Sequence, residues 1–237
     1  MTTLSPPQSP ITIRLPSKYT TTPTDPPPPT TPTPFTPPPL PFLQRTWTVT
    51  HSTLKMWRSA RNVRITYGAL PPSPSPSTSP SIAAHRARVS DTVEYEARSG
   101  RGGVKRIAGV DTAAVAGDAG VWDWRGSGWL FFVGSHWEVL GWGERVVPRE
   151  GAAAGVEAGV GDEGEVEMER WVVTWFAPTV FTAEGVDVYS DRRGGASEGL
   201  VKEVLAELGR VCEGKGKLGE IVGREMKEVA INLPWKE

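Results

Sequence analysis

The chain has 237 residues, with 26 basic and 27 acidic side chains, a net charge of -1 and 38% hydrophobic residues. Charges this evenly balanced, with no basic cluster interleaved with aromatics, exclude the electrostatic footprint of a nucleic-acid binder. Cys212 is the single cysteine. That excludes an intrachain disulfide and a cysteine-built metal site, and it fits a reducing compartment.

No apolar run approaches the ~18 residues of a membrane span. The first residues lack the continuous apolar stretch of a secretory signal, so a cytoplasmic location is expected. Their Ser/Thr-rich, acid-poor composition also resembles an organellar transit peptide, but the prolines oppose the amphipathic helix such a peptide forms. Fifteen of the 23 prolines lie before residue 42. Residues 1–42 are therefore expected to be an extended or disordered Pro/Thr-rich tract outside the core. Its PxxP segments match SH3- or WW-type partners, with a plain spacer as the simpler reading.

From residue 43 the pattern is that of strands. Leu43 to Ser52 alternates Trp47, Val49 and His51 against threonines, and Asn62 to Tyr67 sets Val63, Ile65 and Tyr67 on one face. Between them, Thr53 to Ala60 loses the period and reads as an apolar loop carrying Trp57. Asp91 to Arg98 places Val93 and Tyr95 together, and Val104 to Val110 follows after a Gly-Gly pair. Residues 70–90 and 145–167 read as low-complexity loop inserts.

Gly120 to Glu144 concentrates five of the ten tryptophans. Trp122 and Trp124 alternate with Asp123 and Arg125. Further on, Trp137, Val139 and Gly141 oppose His136, Glu138, Leu140 and Trp142. A hairpin this aromatic needs a larger β-structure around it. Glu169 to Pro178, with Trp175, and Gly185 to Ser190, with Tyr189, complete eight strands. The period then changes to 3.6: Leu200, Val204, Leu205, Leu208 and Val211 form one stripe of a helix spanning 197–212, with Ser197 as its cap.

Eight sequential antiparallel strands followed by an amphipathic helix predict an all-β, up-and-down barrel over residues 43–237, with the helix packed outside. Closure removes exposed edges, and eight strands leave room for one small ligand. In chain order this resembles the lipocalins, within the calycin group. Trp47 in RTW stands where that family has the Trp of its G-x-W motif, with Arg45 in place of the glycine. Arg192, or alternatively Arg193, stands where the family has an arginine packed on that Trp. The resemblance implies a pocket for a fatty acid, isoprenoid or other apolar metabolite, with Trp47 and Arg192 as a structural plug joined by a cation–π contact.

The barrel aromatics Tyr67, Tyr95, Trp124, Trp137, Trp175 and Tyr189, with Trp57 at the mouth, are the candidate ligand contacts. The favoured reading is a non-enzymatic binding protein without a cofactor. The alternative is an isomerase, hydratase or cyclase using His51 or His136 as general acid/base. Between the two, His51 is in phase with Trp47 and Val49 and so is expected to face inward. No metal-ligand spacing is present. A scaffold whose proline tract recruits partners is a third reading.

Overall fold

The computed structural model describes residues 10–20, 35–73, 85–147 and 167–237. A one-turn helix α1 (Leu40–Leu43) leads into β1 (Thr46–Ser52), β2 (Ala60–Ser73), β3 (Arg86–Ala97) and β4 (Lys105–Ala113). Next come β5 (Val121–Gly126), β6 (Gly134–Val147), β7 (Glu167–Phe176) and β8 (Gly185–Ser190), then helices α2 (Glu198–Cys212) and α3 (Gly216–Glu225) and a two-residue strand β9 (Lys227–Glu228). From β1 to β8 each strand pairs antiparallel with its successor, and β8 returns to β1, so eight strands close into an up-and-down barrel. β9 adds beside His51 and Ser52 of β1.

Two hydrophobic clusters follow from the alternation. The inner one holds Trp47, Val49, Ile65, Tyr67, Trp122, Trp137 and Val139, among others. The outer one lies between the barrel wall and the helices: Trp171, Val173, Trp175, Val186 and Val188 pack against Leu200, Val204 and Leu208 of α2 and Leu218 of α3. Both faces of β7 and β8 are covered, which is why they read as nearly continuous apolar runs. Ser197 caps α2 by accepting from the Leu200 N–H, and its hydroxyl also donates to buried Glu169.

Two β-bulges alter the expected faces. In β6 the register shifts between Val139 and Gly141. Trp137 and Val139 point inward, but Leu140 joins the outer cluster and Trp142 turns in to meet Phe42, with ring centroids 4.7 Å apart. In β1 the shift falls between Val49 and His51. An inserted residue reverses every side chain beyond it. His51 is thus carried to the outer face, and Ser52 to the inner one beside Asp187.

Within the tract expected as a spacer over residues 1–42, the described residues 10–20 and 35–42 pack on the barrel. Residues 10–20 run along the outside of the barrel, with Ile13 buried in the outer cluster and the Arg14 N–H donating to the Leu140 carbonyl at 2.8 Å. The Arg14 side chain donates to the fully buried Glu138 at 2.6 Å and to the Val139 carbonyl at 3.0 Å. Gly141 makes this crossing possible, since a Cβ there would lie 2.8 Å from the Thr12 carbonyl. At the end of the tract, Phe42 is buried as well. Residues 1–9 and 21–34 lie outside the described residues, and most of the expected SH3/WW docking tract lies there. The loop inserts are shorter than expected, because β2 and β3 extend to Ser73 and Arg86, and β6 to Val147. The remainders, 74–84 and 148–166, also lie outside the described residues.

Candidate functional site

A cavity of ≈ 760 Å³ occupies the barrel interior. It opens where the β1–β2, β3–β4, β5–β6 and β7–β8 connections gather, with Leu54, Met56, Trp57, Lys105, Trp129, Thr179 and Phe181 among its lining residues. The rim is unusually apolar for a surface: Trp129 is 74% and Phe181 62% exposed, beside exposed Phe131 and Phe132. The rings of Phe131 and Phe132, and of Phe132 and Phe181, meet edge to face. The opposite end is shut by Trp47, whose indole N–H donates to the Leu43 carbonyl at 2.9 Å beneath Phe42.

Of the seven aromatics named from the sequence as ligand contacts, Trp57, Tyr67, Tyr95, Trp124, Trp137 and Tyr189 line this cavity. Trp175 does not. The inward residues of β7 are Val172, Thr174 and Phe176, so Trp175 lies in the outer cluster, where its indole N–H donates to Glu184 at 2.9 Å. Inside, Trp137 is stacked between Tyr67 and Trp122, at 5.7 and 5.8 Å between centroids. Tyr95 meets Trp57 edge to face at 5.2 Å.

The guanidinium on Trp47 comes from an unexpected residue. Arg45, standing at the motif-glycine position, lies 5.5 Å over the Trp47 ring and 5.2 Å over Phe42. Arg192 instead pairs with Glu167 and Glu169, and Arg193 lies over Trp235. A cation placed just before the strand reaches the plug more directly than one arriving after β8.

Neither histidine reaches the interior. His51 lies on the outer wall beside Gly194, Gly195 and Lys202, with its imidazole held below the ordinary range by burial. His136 is half-exposed; its Nδ1 is 2.9 Å from Asp123, the residue directly opposite on β5. Neither His51 nor His136 is therefore placed to act on a substrate enclosed in the barrel.

The titratable groups that do face inward are acids. Asp91 and Asp187 line the cavity, and Asp111 sits behind Trp137, whose indole N–H donates to it at 2.8 Å. Burial holds the Asp91 and Asp187 carboxyls up to about 7; for Asp187 this prevails over the Ser52 hydroxyl and the Trp57 indole N–H directed at it. Asp111 is raised by its complete burial and by the neighbouring charge of Asp91. Tyr67 and Tyr189 are raised by burial too, and all three aspartates act on the Tyr67 phenol. Tyr189 accepts from Thr174 at 3.1 Å with the Tyr67 phenol beside it. Asp91 Oδ1 and Asp111 Oδ2 are buried without hydrogen-bond partners. Among the described residues, no three His, Cys, Asp or Glu side chains converge on a metal-binding point.

The acids carried a signal in the sequence. Asp91 is in phase with Val93 and Tyr95, and Asp187 with Tyr189. A charged residue in phase with an inward aromatic is a departure from the alternation of a filled barrel.

No family model and no curated protein sequence matches the chain. Among solved structures, it is similar to the crystal structure of lobster apocrustacyanin A1, with 8% identity and a TM-score of 0.44 over 81% of this chain and 79% of that one. A closed eight-stranded antiparallel barrel in up-and-down order, with C-terminal helices packed outside it, is a lipocalin-like architecture.

Proposed function

We propose that this protein binds one small, largely apolar molecule inside the barrel. The carrying observation is the open cavity of ≈ 760 Å³, walled by Trp57, Tyr67, Tyr95, Trp124 and Trp137 together with Ile65, Val93 and Phe176. Such a volume falls within the range of about 300–1,000 Å³ usual for small-molecule sites. A barrel that served only as a scaffold would close this space with side chains, because interiors pack to crystal-like density. Flat rings along the wall favour a flat or polyunsaturated body, which gains from both burial and offset stacking. The exposed Trp129 and Phe181 give such a molecule apolar surface at the mouth.

The test is titration of the full-length protein with the neutral probe N-phenylnaphthylamine, followed by probe emission and tryptophan quenching, with native mass spectrometry for stoichiometry. Saturable binding of one molecule is expected, and Val93→Trp, which puts an indole on the cavity wall, should weaken it. Absence of saturable binding to the wild-type protein refutes the reading.

A further inference from the structure

Strands β3 and β8 put the carboxyls of Asp91 and Asp187 on a cavity lined mostly by aromatic and aliphatic side chains, and β4 sets Asp111 behind Trp137. Among the described residues, Asp91, Asp111 and Asp187 have no ionic partner; their neighbours are aromatic rings, hydroxyls and each other. Buried carboxyls ordinarily come with a cation or a full set of donors. Here Asp91 Oδ1 and Asp111 Oδ2 lack any donor, although Asp111 is 0% exposed. Trp57, itself 6% exposed and lining the cavity, directs its indole N–H toward Asp187, which leaves Asp91 and Asp111 as the acids short of donors. Lys105 and Arg106 line the mouth, with the Lys105 ammonium 5.9 Å from the Tyr95 ring.

We propose that the ligand is an amphipathic amine, its flat apolar body held by the aromatic walls and its protonated nitrogen seated between Asp91 and Asp187. This rests on the reading of the barrel as a small-molecule site and specifies the chemistry of its occupant. An ammonium supplies the donors that Asp91 lacks. A carboxylate-ended molecule such as a fatty acid would bring a further negative charge to a site where burial already opposes ionisation. A purely apolar molecule would leave the unpartnered oxygens as they are, at the full cost of their desolvation.

The proton inventory points the same way. In the empty barrel the Asp91 and Asp187 carboxyls, held up to about 7, are partly protonated at neutral pH. A bound ammonium draws them to the ionised form, so binding releases protons and strengthens as pH rises from about 6 to 8. The other titratable groups around the site are Tyr67 on β2, Asp111 on β4 and Tyr189 on β8, with Lys105 and Arg106 of β4 at the mouth. Asp123, whose charge acts on Asp111, sits on β5. The two phenols stay neutral through this pH range because burial raises them.

The experiment uses three probes that share a body and differ at one end: naphthylethylamine, naphthylethanol and naphthylpropanoate. Each is titrated calorimetrically into the full-length protein at neutral pH, in two buffers of different ionisation enthalpy. The amine is expected to bind roughly ten- to a hundredfold tighter than the alcohol, the range of a hydrogen bond to a charged group. The propanoate should bind weakest, and only the amine should release protons. Asp91→Asn and Asp187→Asn should each reduce the ratio of amine to alcohol affinity. The proposal is overturned if the alcohol or the propanoate binds as tightly as the amine, or if the amine's advantage survives in the double Asn variant. If none of the three probes nor N-phenylnaphthylamine binds, the apolar-ligand reading fails together with this one. The wild-type affinity order and proton release decide the matter even if a variant does not fold.

Discussion

Asp187→Asn gives the sharpest test of the buried acids, and it needs no ligand. The carboxyl is 3% exposed, accepts from Ser52, and is held up to about 7 by burial. In the unfolded chain it titrates near about 3.9. The folded protein therefore binds more protons than the unfolded chain between these two values, so stability falls as pH rises through the window and is lost above about 7. Applied between pH 5 and 8, the linkage relation gives a loss of roughly 2–3 kcal/mol from this one group. Asparagine is close in shape to a protonated aspartate and does not ionise. In chemical denaturation of the ligand-free protein, wild type and variant should match at pH 5. The variant should be more stable by about 2–3 kcal/mol at pH 8, or roughly 5–10 °C in Tm for a domain of this size. His51 acts in the opposite direction: with its folded-state imidazole below the usual value, stability is lost as pH falls through about 6.5. That contribution is common to both proteins and cancels in their difference. Parallel pH profiles for wild type and variant would refute the assignment of Asp187 as a buried, ionisation-resistant group.

Because both histidines sit on the outer wall, His51→Ala and His136→Ala should leave probe affinity within about twofold, measured by the same fluorescence titration. A tenfold loss in either would mean that the cavity extends to that side. Arg14→Ala removes the closest cation from fully buried Glu138, leaving donors from Ser17. It should cost about 2–3 kcal/mol in denaturant midpoint analysis and speed proteolysis between residues 10 and 20. A loss under about 0.5 kcal/mol would show that the N-terminal segment does not brace the barrel.

The amino-acid sequence by itself determined the eight barrel strands, their order and the amphipathic helix that follows them. Each of these is a local property: period-two alternation around Trp47, Tyr67 and Trp137, and the 3.6-residue stripe from Leu200 to Val211. It also put Tyr67, Tyr95, Trp124, Trp137 and Tyr189 on the strand faces that line the cavity, because within an unbroken strand one known inward residue sets all the others. What the tertiary structure decided lies where that rule is interrupted. The bulge after Val49 sent His51 outward, and the bulge around Leu140 exchanged the faces of Gly141 and Trp142. A bulge is one extra residue whose position depends on partner strands distant in sequence, and alternation alone carries no trace of it. Trp175 was misplaced for a related reason. Both faces of β7 are buried, so apolarity no longer distinguishes the inside from the face under α2. Residues 10–20 were hidden by the prolines around them: their hold on the barrel comes from Arg14 and Ser17 meeting Glu138, more than a hundred residues away in sequence. The same holds for Arg45, whose place over Trp47 depends on the turn out of α1. Asp91, Asp111 and Asp187 stand in phase with inward residues in the sequence. Closure of the barrel is what brings three separate strands together, turning ordinary strand carboxylates into a cluster that water no longer solvates.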